Sequence, residues 1–120
     1  MNGIRNAAVK NSLMTQTTVS KEIEPSQREQ KTPLFNVVLL DDNDHSYDYV
    51  IEMLQKIFVF TVQEAFRHAE EVDFKGRTLL ITCELPQAEF ARDQIHQYGP
   101  DPRMSTSRGS MSAVIEPASV

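Results

Sequence analysis

The strongest constraint on the fold is a short apolar run that stops at a cluster of acidic residues. Leu34–Leu40 (LFNVVLL) is rich in β-branched and leucine side chains, which predicts a strand buried on at least one face. The loop Asp41-Asp42-Asn43-Asp44-His45 follows it directly. Beyond this acidic loop, apolar residues recur at helical spacing as far as Phe58, which predicts an amphipathic helix. The chain therefore changes from strand to helix across an acidic turn.

Capping signals divide the next residues into two helices. Ser46 suits the N-cap of the first helix, and Asp48 then lies in its first turn, where a negative charge is favourable. Residues 61–64 (TVQE) form a capping-box pattern, which predicts the start of a second helix that ends before Gly76. The apolar stripe of this second helix is predicted to contain Val62, Ala65, Phe66, Ala69 and Val72.

Two further strands and a third helix complete the prediction. Residues 77–82 (RTLLIT) are typical of a strand. Pro86 suits the first turn of a helix that Gly99-Pro100 would end, and residues 111–117 (MSAVIEP) predict a last strand after a polar loop. The expected fold class is therefore α+β, a small three-stranded antiparallel sheet with three helices on one face, in the order β-α-α-β-α-β.

Composition indicates one small domain preceded by a flexible segment. The 120 residues have room for one domain, and residues 1–33 are polar and almost free of aromatics, which predicts a flexible N-terminal extension before a folded domain at 34–118. A net charge of −5 argues against a nucleic-acid partner, and no apolar run is long enough to span a membrane. The single cysteine, Cys83, excludes an internal disulfide and favours a cytoplasmic protein.

The acidic loop has three interpretations: a metal site, a solvated turn, or a trap for a positively charged group. An EF-hand is excluded because, counting from Asp42, the sixth position is Tyr47 instead of glycine and the twelfth is Met53 instead of glutamate. A different metal site that uses His45 remains open. His68 and His96 are interpreted as surface residues. No nucleophile-histidine-acid set and no phosphate loop is recognisable, so we expect neither an enzyme nor a cofactor.

The stretch VVLLDDNDHSYDYVIEMLQKIF, residues 37–58, resembles the signature of the ClpS family, the adaptors of the ATP-dependent Clp protease. That signature reads V-V-L-x-N-D-D-x-T-P-M-E-F-V and continues into an apolar helix. Three later segments also resemble the family in order, namely EVDFKG at 71–76, ITCEL at 81–85 and IEPA at 115–118. The resemblance covers about residues 34–118 and marks the chain as a divergent member.

The resemblance implies an adaptor without catalytic activity. Such an adaptor binds the N-terminal residue of substrates that begin with a destabilising, large hydrophobic residue, and it delivers them to a Clp AAA+ unfoldase of the ClpA or ClpC type. An α-ammonium group needs carboxylate acceptors in a partly desolvated place, and the first side chain needs an apolar pocket beside them. We expect a monomer.

The resemblance also implies site residues, which fall into four groups. Binding of the α-amino group is assigned to Asp41, Asp42 and Asp73. The side-chain pocket is assigned to Tyr47, Val50, Ala69, Val72 and Met111. Asn43 and His45 belong to the loop, and docking of the unfoldase is assigned to Thr82, Glu84 and Glu89.

Two of these positions depart from the family pattern. Asp73 stands where the family has an amine-binding histidine, and Glu89 stands where it has a lysine. Three carboxylates around one position repel one another, so the pKa of at least one should rise when the site is empty. Two alternatives stay open: a ClpS-fold interaction or regulatory module that has lost amine recognition, and a metal-binding module built on Asp41, Asp42, Asp73 and His45.

Overall fold

The order of the elements follows the expected pattern. The computed structural model describes residues 32–119, so the flexible extension predicted at 1–33 lies outside the described residues except for its last two. The elements are β1 (Leu34–Leu40), α1 (Tyr47–Ile57), α2 (Val62–Lys75), β2 (Arg77–Glu84), α3 (Leu85–His96) and β3 (Ser112–Pro117). The predicted α+β fold is confirmed. Within residues 32–119, no helix is long and apolar enough to cross a membrane.

The apolar run before the acidic loop forms the central strand of the sheet. β1 pairs in antiparallel fashion with β2 on one side and with β3 on the other. Val37, Val38 and Leu39 are at most 1% exposed, because neighbours cover β1 on both sides. Successive side chains of a strand point to opposite faces, and Val37 and Leu39 belong to the core beneath the helices. The acidic loop therefore begins at the end of the most buried strand.

Both predicted helix caps are confirmed, whereas the predicted apolar stripes are only partly right. The Ser46 hydroxyl accepts a hydrogen bond from the Tyr49 amide, and the capping box at the start of α2 is complete. On α2 the buried residues are Ala65, Ala69 and Val72, while Val62 and Phe66 remain 57% and 42% exposed. Each residue turns a helix by about 100°, so Phe66 lies well away from the line that Ala65 begins.

The loop between α3 and β3 contains a buried acid that the interpretation as a polar loop missed. Asp101 is 1% exposed, and its Oδ2 accepts hydrogen bonds from the Ser46 amide at 2.8 Å and the Ser46 hydroxyl at 2.7 Å. Its Oδ1 accepts from the Arg103 amide at 2.9 Å. Although burial opposes ionisation, these hydrogen bonds lower the pKa of Asp101 to about 2. Asp101 thereby holds the loop against the start of α1.

Replacing Gly76 with alanine should lower the free energy of unfolding by about 1 to 2 kcal/mol, because Gly76 ends α2 in the left-handed region with φ of 84°. An added Cβ would meet no atom within 4 Å, so the cost arises from the backbone conformation alone. Urea denaturation measures the effect. Gly109→Ala is the matched control, since Gly109 also has open space around it and no positive φ. Equal stability of the two variants would contradict the explanation.

Candidate functional site

The end of β1 lies beside the end of α2, so that the carboxylates of Asp41 and Asp73 are close enough to repel each other. The Asp41 amide donates to the Gly76 carbonyl at 3.0 Å, which ties the end of β1 to the end of α2. The pKa of Asp41 is raised, first because its carboxylate is partly desolvated and second because of the negative charge of Asp73. This agrees with the repulsion expected among the carboxylates, with desolvation as the larger contribution.

Tyr47 connects α1 to this acidic pair. It is the first residue of α1, and its hydroxyl donates to Asp73 Oδ2 at 2.8 Å. Its ring centroid lies 5.9 Å from that of Phe66 on α2. The hydrogen bond to Asp73 is the main cause that raises the pKa of Tyr47 to about 12, so the phenol remains a neutral donor at physiological pH. Tyr47 thus bridges the two helices above Asp73.

The structure places the residues predicted for the side-chain pocket in one apolar cluster. Four of them are between 1% and 4% exposed, namely Val50, Ala69, Val72 and Met111. Tyr47 is partly buried and packs against the same cluster. These four side chains are therefore part of the protein core, and Tyr47 packs at its edge, where its hydroxyl meets Asp73.

Asp42 takes part in a hydrogen-bond network inside the loop. Its Oδ1 accepts from the Asp44 amide at 2.9 Å and lies 2.7 Å from His45 Nδ1. The other ring nitrogen, His45 Nε2, lies 2.7 Å from the Gly109 carbonyl. The Gly109 carbonyl can only accept a hydrogen bond, so Nε2 is the donor in that contact. The His45 side chain, 4% exposed, thereby joins the acidic loop to the segment before β3.

The geometry gives no support to the metal-binding alternative. Within residues 32–119, no group of three or more histidine, cysteine, aspartate or glutamate side chains is arranged to hold a metal ion. Both nitrogens of His45 already face protein acceptors, and Asp73 accepts the hydroxyl of Tyr47. The four residues of that hypothesis therefore do not form one ligand set.

The predicted docking residues lie near one another along the chain, at the junction of β2 and α3. The Thr82 hydroxyl donates to Asn36 Oδ1 at 2.7 Å, across the β1–β2 pair. Glu84 is the N-cap of α3, and Glu89 is exposed on the same helix. Asn43 is exposed in the acidic loop.

A second polar network joins His68 and Glu71 of α2 to Thr78 of β2. From the sequence, His68 was interpreted as a surface residue. His68 lies at the surface only in part: its ring is partly buried and stacks on Phe60 with centroids 5.0 Å apart. Thr78 donates to Glu71 at 2.5 Å and lies 2.8 Å from His68 Nδ1, and burial lowers the pKa of His68. This network adjoins a groove of about 630 Å³ that none of the predicted site residues lines. Only the packing of α2 on β2 brings Thr78 to these side chains.

Comparison with known proteins identifies the family of this chain. Residues 30–102 match the family described as ATP-dependent Clp protease adaptor protein ClpS. The chain belongs to the ClpS family. The predicted resemblance is therefore confirmed, and the family is one of adaptors.

Individual relatives show how divergent this ClpS-family chain is. It is 29% identical over 87 residues to the ClpS adapter protein of Synechococcus sp., an alignment that covers 72% of this chain and 94% of that protein. It is 30% identical over 80 residues to chloroplastic CLPS1 of Arabidopsis thaliana, covering 64% of this chain and 50% of that one. It is also 30% identical over 86 residues to human E3 ubiquitin-protein ligase UBR1, covering 71% of this chain but only 5% of UBR1.

A solved structure supports the fold. The structure of Agrobacterium tumefaciens ClpS2 bound to L-phenylalaninamide superposes with a TM-score of 0.64 at 19% identity, covering 73% of this chain and all of that chain. At this identity the likeness is evidence for the shared β-α-α-β-α-β fold.

Proposed function

We propose that this ClpS-family chain is a non-catalytic adaptor that binds the N-terminal residue of protein substrates and delivers them to a Clp AAA+ unfoldase of the ClpA or ClpC type. The observation that carries the proposal is the position of the Asp41 and Asp73 carboxylates beside the apolar cluster that Tyr47 borders. A free α-ammonium group needs anionic acceptors, and a large first side chain needs apolar surroundings.

The chemistry of a related complex supports the same class of substrate. The Agrobacterium ClpS2 structure holds L-phenylalaninamide, a molecule with a free ammonium group, an aromatic side chain and an amide in place of the carboxylate. These are the groups that an N-terminal phenylalanine presents at the start of a peptide. We therefore place the ammonium group at Asp41, Asp42 and Asp73, and the side chain at Val50, Ala69, Val72 and Met111.

A bound ammonium group would relieve the electrostatic repulsion between the carboxylates of Asp41 and Asp73. In the empty site, partial desolvation and, after it, the negative charge of Asp73 raise the pKa of Asp41. A bound cation would replace this repulsion with charge-assisted hydrogen bonds. An acetylated N-terminus cannot supply the charge and would leave the carboxylates without a partner, so the site should discriminate strongly against it.

Tyr47 would control entry of the side chain into the apolar cluster. The residues behind it are almost fully buried, so a guest side chain needs room that Tyr47 and its neighbours now fill. The ammonium group would also compete with the Tyr47 hydroxyl for Asp73 Oδ2. Both effects favour a Tyr47 that moves aside when substrate binds.

Fluorescent peptides that begin with Leu, Phe, Tyr or Trp test the proposal when they are titrated into the protein beside acetylated copies. We expect binding of at least one free peptide that disappears on acetylation. If no free peptide binds, amine recognition is refuted and the alternative remains, a ClpS-fold interaction or regulatory module. Delivery is tested separately, by following degradation of a substrate with such an N-terminus by the Clp protease with and without the adaptor.

Peptide affinity should fall in mild acid. The pKa of Asp41 in the empty site lies above its ordinary 3.8, and the ammonium group needs the ionised carboxylate. Affinity should therefore be constant at neutral pH and decline as the pH falls through the raised pKa of Asp41. Anisotropy titrations from neutral pH to about pH 4 measure this decline. Asp41→Asn should bind more weakly at neutral pH and lose this part of the pH dependence, and an unchanged profile would contradict the assignment.

The expected cytoplasmic location and monomeric state belong to the same proposal. Cys83 is a free thiol, which fits a reducing compartment, and the Arabidopsis relative shows that the family also occurs in chloroplasts. Sedimentation of the purified chain tests the monomer.

A further inference from the structure

Three exposed apolar side chains lie at the start of α2 and take no part in the core. Val59, in the turn between α1 and α2, is fully exposed, while Val62 is 57% and Phe66 is 42% exposed. Val62 and Phe66 are four residues apart on α2, so they lie on the same side of the helix. We call these three residues the apolar strip. Because burial of apolar surface is favourable, the apolar strip is suited to contact with a partner.

The apolar strip ends at the candidate site. Asp73 follows Phe66 by about two helical turns, so both residues lie on one side of α2, about 10 Å apart along its axis. Tyr47 contacts both of them, because its hydroxyl donates to Asp73 and its ring centroid lies 5.9 Å from that of Phe66. A substrate with its ammonium group at Asp73 therefore begins next to the apolar strip.

The residues around the start of the apolar strip are uncharged. Residues 57–63 (IFVFTVQ) contain no acidic and no basic side chain. Phe74, a further exposed phenylalanine of α2, has different surroundings, because it lines a groove together with Arg67, Lys75 and acidic residues. The apolar strip thus fits an uncharged apolar segment, whereas the groove at Phe74 offers charges of both signs.

An extended peptide bound at Asp73 is able to reach the apolar strip. Such a chain advances about 3.3 Å per residue, so its third or fourth residue comes level with Phe66, and its fifth or sixth with Val62. In the proposed function Tyr47 moves aside when substrate binds, which removes the ring that now lies against Phe66. An apolar side chain of the substrate would take the place of that ring.

We propose that the apolar strip is a second subsite, which binds an apolar side chain at the third or fourth residue of the substrate. The inference rests on the proposed function, in which the ammonium group of the first residue lies at Asp73. The preferred substrates are then proteins whose first residue is followed, within three residues, by another large apolar residue. A second copy of this chain is a poorer occupant, because a net charge of −5 makes two copies repel each other.

Fluorescent peptides that differ only in the position of one leucine test the proposal with the full chain. Each peptide begins with the same large hydrophobic residue, and the leucine moves from position two to position nine in a background of serine and glycine. Affinity should be highest with leucine at position three or four. It should be roughly threefold to tenfold above that of the peptide with leucine at position nine, since an open surface buries only part of a side chain.

Serine variants locate the contact. Phe66→Ser should reduce the preference for leucine at position three or four to less than about twofold. Val62→Ser should lower only the affinity for peptides with leucine at position five or six. Phe74→Ser, which removes a more exposed ring from the same helix, is the matched control and should keep the full preference. Each preference is a ratio of two affinities measured in one variant, so a general change in affinity cancels.

The outcomes separate this inference from the proposed function. If free peptides bind and the position of the leucine makes no difference, the second subsite is refuted while amine recognition stands. A preference that persists in Phe66→Ser refutes the second subsite as well. If no free peptide binds, the proposed function fails and this inference fails with it. A self-associated wild type that Phe66→Ser converts to a monomer would show that a second copy covers the apolar strip, and it would overturn the proposal.

Discussion

Replacing Asp73 with asparagine should weaken binding of peptides with a free N-terminus by roughly 10-fold to 100-fold, because a hydrogen bond to a charged group contributes about 1.5 to 3 kcal/mol. The asparagine side chain keeps an oxygen that can accept the Tyr47 hydroxyl, which now donates to Asp73 at 2.8 Å. The exchange therefore removes the charge and preserves the contact between α1 and α2. Fluorescence anisotropy with a labelled peptide measures the loss.

Two controls connect this loss to the ammonium group. An acetylated copy of the same peptide should bind equally weakly to wild type and Asp73→Asn, so the difference between them should disappear. Asp93→Asn makes the same chemical change on exposed α3 and should leave peptide binding unaltered. If Asp73→Asn binds the free peptide as tightly as the wild type does, Asp73 has no part in amine recognition.

Replacing Asp101 with alanine should lower the free energy of unfolding by about 3 to 5 kcal/mol, because several hydrogen bonds to a charged acceptor are lost and each contributes about 1.5 to 3 kcal/mol. The side chain of Asp101 has no exposed area, and the change leaves the Ser46 amide, the Ser46 hydroxyl and the Arg103 amide without their acceptor. Urea denaturation at neutral pH measures the loss. Asp93→Ala is the matched control, since its exposed pair with Arg92 should contribute no more than about 1 kcal/mol.

The pH dependence of the free energy of unfolding tests whether the negative charge of Asp101, and not only its packing, stabilises the fold. Its pKa is about 2 in the folded chain and 3.8 ordinarily, so the unfolded state binds the proton more readily. The stabilisation by Asp101 is therefore complete above pH 3.8 and is lost as the pH falls towards 2. Within that window the wild type should lose stability more steeply than Asp101→Ala. Parallel curves would show that ionisation of Asp101 does not stabilise the fold.

The resemblance predicts that Asp73 stands where the family has a histidine, and such an exchange would change the charge of the site. A histidine would add a donor or a positive charge near Asp41, whereas Asp73 adds a negative charge that raises the pKa of Asp41. Tyr47 compensates in part, because its hydroxyl donates to the new carboxylate. A direct hydrogen bond thus joins the side chains at positions 47 and 73.

Local interactions made much of the fold predictable from the sequence. The caps at Ser46 and Thr61 and the turn at Gly76 depend on residues at most four positions away, so their patterns were sufficient. The central strand was recognisable because Val37, Val38 and Leu39 form an apolar run that a strand covered on both sides requires. The family resemblance then predicted the carboxylates and the apolar residues of the candidate site, and their role in binding stays a prediction.

The sequence by itself determined the order of the elements, which follows from spacing and local chemistry, and the family, which follows from its motifs. Tertiary structure alone decided which side chains meet across long separations. The bond between Tyr47 and Asp73 spans 26 residues, and that between Ser46 and Asp101 spans 55. It also left Phe90 67% exposed, outside the core. Which side chains are buried, and which hydrogen bonds they form, depends on how the helices pack on the sheet. This packing cannot be predicted from a local sequence pattern.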